Sequence, residues 1–224
     1  MATEFECYYD PLSQPCRTVL LLLKLTNAPH KIKWMDMSKD EHMTSEFMAL
    51  NPFHQLPIIV HGDFVLTEST AIAKYITSTV QCDDHWYPAD IQKRARVDEY
   101  LAHHPTGIRR GCRWVAKKFV FIESMTGKPV PQEEKEAAYA EFQEVLDGFE
   151  NYFLKRGPFI IGNKISIADL FAVSEVIQAQ IGGRDFLSDR PKLEEWVQRV
   201  KKETNPHFDD VFKTTSDFIA TIAK

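Results

Sequence analysis

Apolar and polar residues change rhythm near residues 80–90 of this 224-residue chain. Before that point short segments alternate in type. Glu4 to Tyr9 reads as a strand. Ser13-Gln-Pro-Cys opens a helix, with Ser at the N-cap and Pro in the first turn, and Val19, Leu20, Leu23 and Leu25 follow. Asn27-Ala-Pro-His ends it. His30 to Met35 places apolar residues alternately, as a second strand does. Asp40 to Leu50 reads as a short polar helix or turn. Leu56-Pro-Ile-Ile-Val is a third strand, and His61-Gly-Asp is a tight hairpin signal leading to Phe64-Val-Leu. Thr67-Glu-Ser-Thr then caps a helix through Ile72, Tyr75 and Ile76. The order β-α-β-α-β-β-α predicts a small mixed sheet covered by helices.

After Pro88 the period lengthens to three and four. Val97, Leu101, His104, Ile108, Cys112, Val115 and Phe119 mark one face of a long helix from Ile91 to Met125, kinked at Pro105. Glu133 to Phe153 repeats the pattern at Tyr139, Phe142, Leu146, Phe149 and Phe153. Ser166-Ile-Ala-Asp169 has the form of a capping box opening another helix. Lys192 to Thr204 and Phe208 to Ile222 complete a helical bundle. The predicted division is 1–80 for the sheet domain, 81–90 for a linker and 91–224 for the all-helical domain.

Composition narrows the classes. A hydrophobic fraction of 44% and a charged fraction of 26% are ordinary for a globular domain. A net charge of −5 lacks the basic footprint of a nucleic-acid binder. The longest apolar run, Thr18 to Leu23, is far too short for a bilayer span, and the N-terminus has no basic-then-apolar signal. Cytoplasmic placement is expected. Cys7, Cys16, Cys82 and Cys112 are too scattered for a metal site, no His-Glu-x-x-His occurs, and reduced thiols are expected.

Seven stretches, in order, resemble the theta class of the cytosolic glutathione transferases: Ser13-Gln-Pro-Cys-Arg17, Asn51-Pro-Phe-His-Gln-Leu-Pro57, Gly62-Asp-Phe-Val-Leu-Thr-Glu-Ser69, Ala95-Arg-Val-Asp-Glu-Tyr-Leu101, Ile108-Arg-Arg110, Ser166-Ile-Ala-Asp-Leu170 and Arg190-Pro-Lys-Leu193. The resemblance implies a thioredoxin-like α/β domain followed by an all-α domain, a homodimer, and conjugation of glutathione to small hydrophobic electrophiles, with glutathione-dependent peroxidase activity as a further possibility. Glutathione is then a co-substrate, and no other cofactor is implied.

The resemblance also assigns residues. Read alone, Ser13 is a helix cap. Within the family its hydroxyl donates to the glutathione sulfur and favours the thiolate, which is the nucleophile; a free thiol has pKa ~8.5 and is mostly protonated at neutral pH. Glu68 and Ser69 would take the γ-glutamyl end, the carboxylate of Glu68 its ammonium and Ser69 with helix amides its carboxylate. Leu56, before a family cis-proline at Pro57, would pair in β fashion with the cysteinyl unit. His42 would meet the glycyl carboxylate, and Gln55 would reach the glycyl end from a position where relatives often carry lysine. Arg109 matches a theta arginine directed at the thiol, where a cation would favour thiolate and a departing anion. Trp114 and Phe119 are pocket wall or core, and Asp98 and Arg94 match interface and helix-packing charges. Some theta members have a longer C-terminus, so the end at Lys224 implies a more open site. Rival readings are a glutathione-binding or structural protein with little turnover, Tyr8 or Tyr9 as thiol activator, and thiol–disulfide exchange through Cys16, since Ser13-x-x-Cys16 has the form of a redox motif with its first cysteine replaced. Cys16 falls inside the first helical turn and is expected to be a buried thiol.

Overall fold

The computed structural model describes residues 4–182 and 185–222. The first part holds four strands: β1 (Phe5–Tyr9), β2 (His30–Trp34), β3 (Ile58–His61) and β4 (Phe64–Leu66), in the order β2-β1-β3-β4. β1 and β2 run parallel, which requires a crossover, supplied by helix α1 (Gln14–Leu25). β3 and β4 are antiparallel additions joined by the expected hairpin, where Gly62 takes φ 64° at the two-residue turn. Along β1 the side chains alternate, with Phe5, Cys7 and Tyr9 buried and Glu6 and Tyr8 half-buried.

α1 is buried over nine of its twelve residues, Pro15 to Leu23. The unbroken apolar run Thr18 to Leu23 is the reason, because a helix apolar all round must be covered all round. α1 packs against α3 (Ser69–Thr79) on one side and against α8 (Ile167–Ala179) and α10 (His207–Ile222) on the other. A short helix α2 (Ser45–Leu50) follows two 3₁₀ turns, Met37–Lys39 and Glu41–Met43.

The helical part departs from expectation at Pro105. In place of one kinked helix there are two, α4 (Ile91–His103) and α5 (Ile108–Ala116), separated by a turn. Pro105 has no N–H to donate, and the chain re-forms through Gly107 N–H to His103 O, 2.9 Å. α5 runs through a π-helical turn, Lys117–Phe121, into α6 (Ile122–Thr126). α7 (Gln132–Gly148) packs against α5, with Phe142 so close to Gly111 that an added Cβ would lie 2.6 Å from its ring. α9 (Pro191–Thr204) completes the bundle. The capping box is present: Asp169 accepts from Ser166 N at 3.0 Å, and also from Ile160 N and Trp196 Nε1, both 3.0 Å. No helix among the described residues is long and apolar enough to cross a membrane.

Candidate active site

The strand registers gather the predicted site. Tyr9 pairs with Trp34 and Tyr8 with Ile58, so the ends of β1 and β2 and the start of β3 share one end of the sheet. Ile59 pairs with Leu66, which brings the end of β4 to the same place. The segments emerging there are the Ser13 turn, the stretch after Trp34, Leu56-Pro57 and Glu68-Ser69. Two strand spacings from β1 to β4 span ~10 Å, the reach of an extended tripeptide.

Ser13 follows a turn in which its N–H bonds Asp10 O at 3.1 Å. It stands at the N-cap position of α1 with φ −82° and ψ 118°, and its carbonyl accepts the Arg17 N–H at 3.1 Å. Its side chain makes no capping bond, contrary to the plain-cap reading. A cap oxygen normally accepts from the second or third helical N–H, and the second here is Pro15, which has none. The hydroxyl is left half-buried beside the Cys16 sulfur.

The rivals to Ser13 are poorly placed. Cys16 is fully buried, and burial pushes its thiol up to about 12 against contacts with the Asp10 backbone and the Ser13 side chain. A protonated buried thiol is a weak nucleophile. Tyr9 is buried, its hydroxyl raised by burial, and its ring meets Trp34 edge-on. Tyr8 points to the other face of the sheet, against Phe47.

The Leu56-Pro57 bond is cis. Buried Asn51 builds the preceding turn, donating to Gln55 O at 2.8 Å and accepting from Phe53 N at 3.0 Å. Leu56 is buried and the Gln55 side chain is exposed. His54, which the sequence motifs left without a role, sits in this turn at φ 55°, and its Nδ1 is buried without a hydrogen-bond partner. His42 Nδ1 is in the same condition. Two imidazoles with unmet polar atoms are suited to an incoming carboxylate.

Glu68, not Thr67, occupies the cap position of α3, and its side chain caps nothing. Its backbone is at φ 64°, ψ 105°, outside the ordinary left-handed well, a conformation costing about 1–3 kcal/mol that is typical of ligand clamps. The result is an exposed carboxylate next to the uncapped amides of α3, which begins at Ser69.

Arg109 is not a free cation. Its guanidinium donates to Glu175 Oε1 at 2.6 Å, and Glu175 is buried at 2% side-chain exposure, with His104 Nε2 3.4 Å from the same oxygen. Burial raises the Glu175 pKa, but His104 and Arg109 outweigh it and the net shift is downward. Glu175 also acts on Arg17, which is fully buried and donates to Pro11 O at 2.9 Å and Gln178 Oε1 at 2.6 Å. Burial lowers the Arg17 guanidinium to about 10, so it remains a cation at neutral pH. Sequence reading gave neither Arg17 nor Glu175 a role. The available signal was one carboxylate in the apolar stretch Leu170-Phe-Ala-Val-Ser-Glu-Val-Ile, since a lone buried acid requires a partner. Trp114 is 39% exposed beneath the ammonium groups of Lys117 and Lys118, so it is not core. Phe119 is half-buried against the core. Asp98 accepts from Tyr87 and pairs with Lys74, and Arg94 bonds Pro88 O, in line with packing roles.

Residues 13–79 match the model of the glutathione S-transferase N-terminal domain, and residues 114–203 that of the C-terminal domain. The chain is 39% identical to glutathione S-transferase theta-1 of Bos taurus over 88% of its own length and 82% of that protein. It is 38% identical to the theta-1 enzyme of Homo sapiens over 96% and 88%. A human theta-class glutathione transferase, in complex with the glutathione conjugate of 1-menaphthyl sulfate, superposes with a TM-score of 0.92 at 32% identity, covering 98% of this chain and 90% of that one. A sheet whose end gathers an uncapped serine, a strained acid and a cis-proline turn, joined to a helical bundle, thus has close counterparts over nearly its whole length, and the chain belongs to the theta class of the glutathione S-transferase family.

Proposed function

We propose that this chain conjugates the glutathione thiol to small apolar electrophiles, with Ser13 as the thiolate-stabilising donor. One observation carries the assignment of Ser13: its hydroxyl, left uncapped by Pro15, stands at the sheet end where the tripeptide-length row of ligand groups converges. Glu68 and Ser69 take the γ-glutamyl end, the Leu56 backbone the cysteinyl unit, and His42 with Gln55 and His54 the glycyl carboxylate. The thiol proton leaves to solvent. The sulfur lone pair then forms the new S–C bond as the bond to the leaving group breaks and its electron pair departs with it. Ser13 donates a hydrogen bond throughout and never attacks.

Arg109 takes a different role from that of a bare cation at the sulfur. Its field is largely offset by Glu175 at 2.6 Å, so it acts on a departing anion that competes with Glu175 for its remaining donors. Leu12 and Trp34, 39% and 67% exposed beside the Ser13 turn, supply apolar surface for the electrophile. The 1–80 segment is the glutathione-binding domain and 91–224 the electrophile-binding domain, joined by 81–90. A homodimer in the cytoplasm fits the unbonded thiols and the apolar surface that Phe53 and Phe64, 70% and 46% exposed, offer to a second subunit. Steady-state assays with alkyl and aryl halides, epoxides and cumene hydroperoxide test the reading. Turnover of at least one class above the uncatalysed rate is expected; glutathione binding without turnover of any would overturn it.

A further inference from the structure

Asp10 is only 7% exposed, yet it sits in the turn that delivers Ser13. Its carboxylate accepts the Leu12 N–H through Oδ1 at 2.7 Å and the Met37 N–H through Oδ2 at 3.1 Å. Its own carbonyl accepts the Ser13 N–H at 3.1 Å. One residue therefore fixes the turn before Ser13 from within and ties it to the segment after β2. The far side of the same turn is held independently: Pro11 O accepts from Arg17 Nη1 at 2.9 Å and from Thr215 Oγ1 of α10 at 3.3 Å. A carboxylate this buried is costly unless its oxygens are satisfied, and two backbone amides and the nearby Arg17 charge satisfy it here.

The Ser13 hydroxyl makes no capping bond and meets the buried Cys16 sulfur of its own first turn, so its placement derives from the backbone that carries both. We propose that Asp10 is a positioning residue of the reaction: by clamping the Leu12 and Met37 amides it holds the Ser13 hydroxyl at the point where glutathione presents its sulfur. The inference rests on the assignment of Ser13 above. Asp10 touches no reacting atom and acts through Ser13. Misplacement of a donor by a fraction of an ångström weakens a hydrogen bond to a thiolate while leaving the distant ligand groups untouched.

The test compares Ser13→Ala, Asp10→Asn, Met37→Pro and Met37→Ala in the full chain. Two quantities are read: the pH titration of bound glutathione by its thiolate ultraviolet absorption, and kcat against KM for a halide substrate. Asp10→Asn keeps the shape, but its amide nitrogen faces one of the two N–H donors. Met37→Pro keeps the carboxylate and removes one donor at the first position of a 3₁₀ turn, where proline is tolerated. Met37→Ala removes the same side chain and keeps the N–H, so the ratio of the two isolates that hydrogen bond. For Asp10→Asn the expected result is a raised thiol pKa and kcat down about 10- to 100-fold, with KM for glutathione within about threefold. Met37→Pro should fall below Met37→Ala in the same direction by about three- to tenfold. If Ser13→Ala raises the thiol pKa but Asp10→Asn and the Met37 pair do not, the positioning role is overturned and the Ser13 assignment survives. If Ser13→Ala itself leaves the pKa unchanged, both fall. Should Asp10→Asn not fold, the Met37 pair decides.

Discussion

Ser13 shows how one neighbour changes what a residue can do. A serine before a helix ordinarily spends its oxygen on a backbone N–H, and Pro15 removes one of the two donors it would use. The hydroxyl is thereby released as a donor for an anion at a helix N-terminus. A hydrogen bond to a charged acceptor contributes about 1.5–3 kcal/mol, so Ser13→Ala should lower kcat/KM about 10- to 100-fold near neutral pH. The loss should shrink at alkaline pH, where thiolate forms without help. A pH–rate profile measures this, and a deficit independent of pH would mean that Ser13 acts on something other than thiol ionisation. Glu68 illustrates the converse. Thr67-Glu-Ser-Thr looks like capping chemistry in sequence, yet the backbone at Glu68 is strained and its carboxylate caps nothing. Local pattern could not separate these cases, because a cap and a ligand-binding helix terminus use the same residue types.

Among the elements, α1 and α8 form the seam between the sheet and the bundle. α1 was legible in its run of leucines and α8 in Ser166-x-x-Asp169, because helix period and capping spacing are local properties. The long helix across Pro105 was not: an apolar period passes through the proline, but the missing N–H splits it into α4 and α5. Asp169 does more than sequence implied. It accepts from Ser166, from Ile160 and from Trp196 of α9, so it staples two helices and a loop. Burial raises its pKa against those donors. Asp169→Ala strands buried donors and should cost about 3–5 kcal/mol. Urea denaturation should show it, while thiol titration in the folded fraction stays as in the wild type; a loss under 1 kcal/mol would mean that water or a neighbouring group replaces the carboxylate.

Across the whole molecule, charge lies in the seam. Glu175 on α8 bonds Arg109 of α5, lies 3.4 Å from His104 and acts electrostatically on Arg17 of α1, a buried acid tied to basic groups from distant parts of the chain. Its folded pKa is depressed, so its contribution to stability is present above the unfolded value, about 4.3, and is lost as pH falls through the lower folded value. Glu175→Gln should therefore be about 3–5 kcal/mol less stable at pH 7, and the gap should narrow progressively as pH falls below about 4.3 and the wild-type carboxyl begins to protonate. A gap that stays constant with pH would assign the loss to packing. By itself the sequence determined the order of elements, the two-part architecture and the family, because periodicity, caps and turn residues act over a few positions and the motifs recur in order. Only the tertiary structure decided that Arg109 is neutralised by Glu175 and that Asp10 clamps the turn to the segment after β2. Those depend on groups far apart in the chain, brought within bonding distance by strand register and helix packing.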